Sequence, residues 1–291
     1  MGKLVRMIDE EGTLSVIAAD STDIVREMRS IHGTSNVCSA ALGRMLTAAT
    51  MMGSTLKGKD DSITVKINGG GPCGTVLAVS DSDGNVRGCI GKADISLPLN
   101  KKGKLDVAGA VGKNGFVTVI KDLGLKEPYI GKAPIVSGEI AEDITSYYAV
   151  SEQIPTVCAL GVLTEHDSGE IICAGGFMIQ LLPTADDTII ERVEESINDL
   201  PPVTKMLSDG MTPEEICKKA LSKFNLQLLD ETNTAYRCTC SRERVEKALI
   251  ATGKSGLSEM AEDETTEVVC NFCHKKYHFS KEEIQKMLKR V

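Results

Sequence analysis

The sequence lacks tryptophan, and aromatic residues make up 3% of its 291 residues. A hydrophobic core must therefore rest on aliphatic side chains and methionine. The sequence also lacks a run of roughly 18 apolar residues, the length that a transmembrane helix needs. The acidic segment Asp9-Glu10-Glu11 is unlike the apolar stretch of a secretory signal peptide. These absences predict a cytoplasmic protein without a membrane partner.

An excess of positive charge is absent as well. The formal net charge is −8 at pH 7. Proteins that bind nucleic acid through its phosphates usually carry a basic patch or stripe. We therefore expect no nucleic-acid partner unless a local site provides the charge.

A recognisable catalytic constellation is missing too. His32 and His166 have no nucleophile beside them in the sequence. Gly253-Lys254-Ser255 resembles the end of a phosphate-binding loop, but Ala248 replaces the first glycine and the preceding segment is helical in pattern. Catalysis is not indicated, and we predict that the protein is not an enzyme.

The remaining composition, 42% hydrophobic and 25% charged, is that of an ordinary globular protein. Residues 1–183 combine one strong helical pattern with many short strand patterns, which predicts an α+β core domain with a mixed sheet-and-helix architecture. The predicted elements are a helix capped by Ser35 or Asn36 that runs past Met52 to a stop at Lys57-Gly58, strands at 63–67, 75–80, 86–90, 116–120 and 171–182, a turn at 81–85, and a helix near 144–154.

Residues 184–230 have a different character, with ten acidic against five basic residues. Thr212-Pro213-Glu214-Glu215 predicts a helix start with a capping box, whereas Pro201-Pro202 and Asp209-Gly210 interrupt helical patterns. Short helices with few aromatic residues bury little surface. We predict a metastable helical linker that is the least stable part of the chain.

Ten cysteines without a secretion signal indicate reduced thiols. Isolated cysteines usually behave as small buried hydrophobic residues. Six of the ten are isolated among apolar neighbours and are expected in the core: Cys38, Cys73, Cys89, Cys158, Cys173 and Cys217.

The other four cysteines form two close pairs, Cys238 with Cys240 and Cys270 with Cys273. Four thiolates at this spacing can close a tetrahedral shell around one Zn²⁺, which leaves no open position for a substrate. Thiolates are also the groups that oxidants attack, so the same residues can end as two short-range disulfides. A structural staple and a redox switch are both compatible with this pattern.

Two other interpretations of this region are weaker. His274 and His278 lie beside the second pair, but four cysteines already complete the shell. A thioredoxin-like redox pair at Cys270 and Cys273 would need a βαβ pattern around it, and a thiol oxidoreductase would need thiolates that zinc does not occupy.

Residues 231–291 are predicted to form a small C-terminal zinc-binding domain. Its expected elements are a helix at 242–251, a knuckle hairpin at 268–273 and a last helix capped by Ser280 and Glu283. A unit of this size buries too little surface to be robust, whereas structural zinc contributes roughly 10–16 kcal/mol. We therefore expect the domain to unfold without zinc. Eleven basic against ten acidic residues give little support to the alternative of a zinc-ribbon nucleic-acid-binding protein.

The Cys-x-Cys and Cys-x-x-Cys pairs, separated by 29 residues near the end of the chain, resemble those of the redox-regulated heat-shock holdase family, the thirty-three-kilodalton chaperonins. The resemblance extends over nearly the whole chain. Further motifs that carry it are His32-Gly33-Thr34-Ser35 leading into Ala40 to Arg44, Asn68 to Pro72, Tyr147-Tyr148 with Ser151-Glu152-Gln153, and Gly175-Gly176 with Gln180 to Pro183.

The resemblance implies an ATP-independent chaperone that is inactive while reduced and zinc-bound through Cys238, Cys240, Cys270 and Cys273. It implies that peroxide or hypochlorous acid, aided by heat, pairs Cys270 with Cys273 and Cys238 with Cys240, releases zinc and partly unfolds the protein. It also implies unfolding client proteins as partners, a homodimer when active, and transfer of clients to an ATP-dependent foldase.

Two expectations add to this picture. A disulfide across Cys-x-Cys is geometrically tight, so the 238–240 bond should form after local unfolding. Met45, Met51 and Met52 have a spacing that favours core packing over client binding, and the linker helices around 189–200 are the better candidate for a client site.

Overall fold

The computed structural model describes residues 1–290, which divide into two compact units, residues 1–237 and the remainder from Cys238. Both units combine helices with strands, so the predicted α+β class is confirmed. The strands of the first unit are β1 (Gly2–Asp9), β2 (Leu14–Asp20), β3 (Ser62–Gly70), β4 (Val76–Asp81), β5 (Val86–Ile90), β6 (Gly112–Asp122), β7 (Tyr129–Pro134), β8 (Thr156–Thr164), β9 (Ile171–Leu181) and β10 (Leu226–Thr234). Its helices are α1 (Thr22–His32), α2 (Asn36–Gly53), α3 (Val107–Val111), α4 (Ala141–Tyr147), α5 (Asp187–Ile197), α6 (Val203–Ser208) and α7 (Pro213–Ala220).

The strands of the first unit form two antiparallel sheets of five strands each. The first sheet has the order β10-β1-β2-β9-β8, and the second has the order β5-β4-β3-β6-β7. The second sheet is built largely from neighbours in sequence, whereas the first sheet joins the two ends of the unit through the pairing of β1 with β10.

Helix α2 forms the centre of the first unit. Ser35 caps its N-terminus by accepting a hydrogen bond from the Cys38 amide, at 3.4 Å. The helix is buried along almost its whole length and packs against strands of both sheets. Met45, Met51 and Met52 are each at most 1% exposed, so they are core residues as predicted. The low aromatic content is thus compensated by a helix of small and flexible apolar side chains.

The other face of the first sheet is covered by the short helices α5, α6 and α7. Because helices lie on both of its faces, strand β2 is apolar along most of its length and does not alternate. The side chains buried between these helices and the sheet include Val16, Phe177, Ile189, Val193, Val203, Met206 and Ile216.

The second unit has a core of its own. Its elements are α8 (Arg242–Ala251), α9 (Gly253–Met260), the hairpin of β11 (Thr265–Val269) and β12 (Lys276–Ser280), and α10 (Lys281–Leu288). Leu257, Phe279 and Ile284 are fully buried and lie at the centre of this core. Arg242 lies with its guanidinium 4.3 Å from the Phe279 ring centroid, which attaches the start of α8 to the hairpin.

Several predicted elements occur where the sequence placed them, including the hairpin of β4 and β5, the capping box at Thr212 and the helix at 242–251. Several predicted bounds were wrong. Among the strands, β6 begins at Gly112 and not at Phe116, and β3 continues to Gly70. Helix α2 ends at Gly53 and not near Lys57. The helix expected near 144–154 is α4, which starts three residues earlier and continues into a π-helical turn at Tyr148–Glu152.

Residues 184–230 hold α5, α6, α7 and the first part of β10, and they belong to the first compact unit. Their metastability and the division at 230/231 stay predictions. Across residues 1–290, the structure contains no helix with the length and apolar character that crossing a membrane would require.

Candidate metal centre

The four paired cysteines lie on two loops of the second unit. Cys238 and Cys240 occupy the extended segment before α8, whose N-cap Ser241 accepts a hydrogen bond from the Arg244 amide at 3.3 Å. Cys270 directly follows β11, and Cys273 lies in the turn that leads into β12. The hairpin register therefore brings the second pair to one end of the β11–β12 ribbon.

Backbone hydrogen bonds shape the second loop. The Cys270 amide donates to the Lys275 carbonyl at 3.0 Å, and the His274 amide donates to the Cys270 carbonyl at 2.9 Å. His274 has a φ of 55°, the left-handed conformation that reverses the chain tightly. This turn brings the sulfurs of Cys270 and Cys273 to the same side of the loop, so that both can bind one metal ion.

The structure brings all four sulfur atoms together, within 4.8 Å of one another. Cys238 Sγ lies 3.7 Å from Cys270 Sγ, and Cys240 Sγ lies 3.4 Å from Cys273 Sγ. Zinc–sulfur bonds of about 2.3 Å in a tetrahedron place the sulfurs about 3.8 Å apart. The sulfur cluster therefore fits a four-coordinate zinc ion, and each side chain is partly shielded from solvent.

Two side chains outside the predicted set support the cluster. Arg244 Nη1 donates to the Thr239 hydroxyl at 2.6 Å and to the Thr239 carbonyl at 3.1 Å, which holds the residue between the first two cysteines. The Tyr277 hydroxyl donates to Cys240 Sγ at 3.1 Å. Sequence analysis did not identify either residue. A signal was available for Tyr277, since it alternates with Phe279 on the apolar face of a strand just after Cys273.

The electrostatic environment distinguishes the sulfurs from one another. Burial by itself raises the pKa of Cys240, but hydrogen bonds from Tyr277 and the neighbouring thiols outweigh it and lower that pKa to about 7. Burial raises the pKa of Cys238 and of Cys273, with further increases from hydrogen bonds among the clustered thiols. A cluster that holds one thiolate near neutral pH attracts a cation.

The six isolated cysteines differ from the cluster. Cys38, Cys73, Cys173 and Cys217 are buried, and Cys89 and Cys158 are partly buried. Burial raises the pKa of Cys38, of Cys173 to about 11, and of Cys73, Cys158 and Cys217 to about 12. The thiols of these last five residues therefore stay protonated near neutral pH and are poor nucleophiles.

His274 and His278 do not belong to the cluster. Within residues 1–290, the group of side chains that could hold a metal ion consists of the four cysteines. His278 Nε2 lies 3.6 Å from Glu267 Oε2, across the hairpin from β11. The segment at 248–255 forms the end of α8 and the start of α9, so it lacks the strand-loop-helix context of a phosphate-binding loop.

Comparison with known proteins adds independent evidence. A family model described as Hsp33 protein matches residues 2–280. The chain is 47% identical over 288 residues to the 33 kDa chaperonin of Clostridium botulinum (strain Alaska E43 / Type E3), covering 99% of this chain and 97% of that protein. It is 47% identical over 289 residues to the 33 kDa chaperonin of Clostridioides difficile (strain 630), covering 99% of each.

A solved structure is similar as well. The crystal structure of the 33 kDa chaperonin (heat shock protein 33 homolog) from Thermotoga maritima matches with a TM-score of 0.87 at 34% sequence identity. The match covers 99% of this chain and 98% of that chain, so the similarity includes both compact units.

Proposed function

This chain belongs to the Hsp33 protein family, and we propose that it is a redox-regulated, ATP-independent holdase chaperone of the cytoplasm. Family membership and relatives named chaperonin support a chaperone function. The observation that carries the redox part of the proposal is the cluster of four cysteine sulfurs within 4.8 Å of one another. The proposed activity is binding of unfolding proteins and not catalysis.

In the reduced state, Cys238, Cys240, Cys270 and Cys273 would hold one Zn²⁺. When bound, the ion ties two loops that are 29 residues apart in the sequence and stabilises a unit with a small core. The fit of the sulfur spacing to tetrahedral coordination supports zinc, and a shell of four thiolates supports a structural site.

Oxidation would remove these ligands. A thiolate sulfur attacks one oxygen of a peroxide, the O–O bond breaks, and a sulfenic acid and a hydroxide ion form. A second thiolate then displaces hydroxide from the sulfenic sulfur to give a disulfide, so two electrons pass from the sulfurs to the peroxide. We propose that Cys270 pairs with Cys273 and Cys238 with Cys240.

The pairing is open to a direct test, because sulfur contacts of 3.7 and 3.4 Å also join the two loops. Peptide mapping of the fully oxidised protein should give bonds within each pair. Predominant 238–270 and 240–273 bonds would contradict the proposed pairing while leaving a redox-sensitive cluster.

Unfolding of the second unit would destabilise the linker, residues 184–230, because the two are joined along the chain. Residues 235–237 join β10 to Cys238, and β10 follows the short helices α5 to α7. These helices have 11, 6 and 8 residues and would be marginal without the sheet beneath them. Their release would expose both their own buried side chains and those of the first sheet, which is an apolar surface for clients.

Ile189 and Val193 in α5 are at most 5% exposed while docked. This burial is consistent with a client surface that is covered in the resting protein and uncovered on activation. We further propose that the active form is a homodimer and passes its clients to an ATP-dependent foldase. Light scattering of the reduced and oxidised protein would test the first of these points.

The experiment that tests the whole proposal uses the reduced full-length protein with its zinc content measured. Peroxide is added at raised temperature while a chromogenic chelator reports zinc release and light scattering reports aggregation of a thermally unfolding enzyme. Both signals should change together and reverse with a thiol reductant. Retained zinc, or zinc release without suppression of aggregation, would contradict the proposal.

A Cys270→Ser variant should bind zinc more weakly and lose the normal dependence of chaperone activity on oxidant, because one of four ligands is gone. The matched control is Cys89→Ser, which removes a partly buried thiol from the first unit. The control should retain the zinc content and the oxidant response of the original chain.

A further inference from the structure

Tyr277 is placed rigidly beside the cysteine cluster. Its ring is 6% exposed and belongs to the core of the second unit. On the hairpin it pairs with Val268 of β11, and the Lys275 ammonium lies 5.3 Å from the ring centroid. Burial in this core, with the strand paired on the hairpin, restricts the position of the hydroxyl.

That hydroxyl reaches Cys240. The Tyr277 O–H donates to Cys240 Sγ with an oxygen–sulfur distance of 3.1 Å. Cys240 Sγ also lies 3.4 Å from Cys273 Sγ, so the tyrosine contacts a sulfur that faces the second loop. Zinc ligation holds all four cysteines as thiolates, so in the zinc-loaded protein this hydrogen bond does not change how much thiolate is present. The bond orients the ligand and draws electron density from its lone pairs, which lowers the nucleophilicity of that sulfur.

We propose that Tyr277 is a positioning residue that orients Cys240 for metal binding and slows the attack of Cys240 on peroxide. The inference rests on the proposed function and deepens it, because it assigns one cysteine a protected role. In the protected step, the Cys240 thiolate would attack peroxide, break the O–O bond and release hydroxide. The Cys238 thiolate would then displace a second hydroxide to close the disulfide. The hydroxyl of Tyr277 thus delays the 238–240 bond relative to oxidation at the second loop.

The test compares Tyr277→Phe with Val268→Ala in the zinc-loaded full-length chain. The first variant keeps the ring and loses the hydroxyl, whereas the second keeps the hydroxyl and loosens the packing beside the ring. Peroxide reactions are quenched with acid at timed intervals, and free thiols are alkylated. Trypsin cleavage at Arg237 and Arg242 gives a peptide whose fragmentation separates Cys238 from Cys240. Zinc affinity is measured by competition with a chromogenic chelator.

Tyr277→Phe should bind zinc about tenfold more weakly, as expected for loss of an outer-shell partner. Its Cys240 should oxidise roughly three- to tenfold faster relative to Cys273, the size of effect that one hydrogen bond supplies. Val268→Ala should keep the original ratio of Cys240 to Cys273 oxidation, because the hydroxyl remains.

Three outcomes would overturn the inference. The first is an unchanged oxidation ratio in Tyr277→Phe, and the second is an equal acceleration of all four thiols in both variants. The third is failure of Tyr277→Phe to fold while Val268→Ala folds, which would make the hydroxyl purely structural. If the original chain binds no zinc or shows no oxidant-dependent chaperone activity, the proposed function fails instead, so the two failures are distinguishable.

Discussion

The carboxylate of Asp143 accepts hydrogen bonds from several backbone amides of one loop in the first unit. Its Oδ1 accepts hydrogen bonds from the amides of Val136 at 2.9 Å, Ser137 at 2.9 Å and Gly138 at 3.3 Å, and its Oδ2 accepts one from Ile140 at 2.9 Å. Ile140 is fully buried with a φ of 71°, a conformation that costs a β-branched residue energy. A fully buried charge is stabilised here by four donors, and those donors hold the strained turn.

Replacement Asp143→Ala should therefore lower the free energy of unfolding by about 3 kcal/mol, because hydrogen bonds to a charged group are lost and buried amides are left unpaired. Urea denaturation of the reduced, zinc-loaded protein measures this loss. Glu142→Ala is the matched control, since Glu142 lies in the same first turn of α4 but is exposed. Equal stability of the two variants would show that the loop does not depend on the carboxylate.

At the scale of elements, the two units use the same device to begin a helix. Thr212 accepts a hydrogen bond from the Glu215 amide at 3.3 Å, and Glu215 accepts one from the Thr212 amide at 2.8 Å. Ser280 and Glu283 make the same reciprocal pair at the start of α10. In α7, a helix of 8 residues, this cap is a large part of the local stability.

We expect Thr212→Ala to destabilise α7 by about 1 kcal/mol. Hydrogen exchange at 213–220 should become about fivefold faster, and less peroxide should be needed for chaperone activity because the linker is already weakened. Hydrogen exchange with mass spectrometry measures the first effect, and a peroxide titration of aggregation suppression measures the second.

Ser280→Ala provides the comparison, because it removes the same kind of cap from α10 in the second unit. Exchange at 213–220 should be unchanged in that variant. A Thr212→Ala protein with faster exchange but an unchanged peroxide requirement would separate the stability of α7 from activation.

At the scale of the whole molecule, the two units have separate hydrophobic cores. The first unit buries a long helix between two sheets, whereas the second has a small core beside the four cysteines. Small domains bury a lower fraction of their surface than large ones and often need a metal. The two units should therefore respond differently when zinc is withdrawn.

Chelation of zinc from the reduced protein should abolish hydrogen-exchange protection in residues 238–290 while strands β1 to β9 remain protected. The reason is that the metal site does not exist in the unfolded chain, so the free energy of zinc binding stabilises the folded state of the small unit. Re-addition of zinc should restore protection. Persistent protection of 238–290 in metal-free protein would mean that its own core is sufficient and that the metal has no structural role.

Much of the local structure could be predicted from the sequence. The cap of α2 at Ser35, the turn at 81–85 and the helix at 242–251 depend on residues close together in the chain, and the structure contains them. The cysteine pairs were visible for the same reason, because ligand type and spacing are local properties. The α+β class followed from the mixture of these patterns.

Other features were decided by tertiary structure. Strand β10 has a polar sequence and pairs with β1, where Arg6 Nε lies 3.0 and 2.9 Å from the carboxylate oxygens of Asp230. The four amide hydrogen bonds to Asp143 could not be predicted from the sequence. The alternation of Tyr277 with Phe279 marks it as a buried strand residue, but its hydrogen bond to Cys240 could not be predicted. Caps, turns and ligand spacings are set within a few residues, whereas strand pairing, the meeting of the two cysteine loops and buried hydrogen bonds exist only after distant segments have packed together.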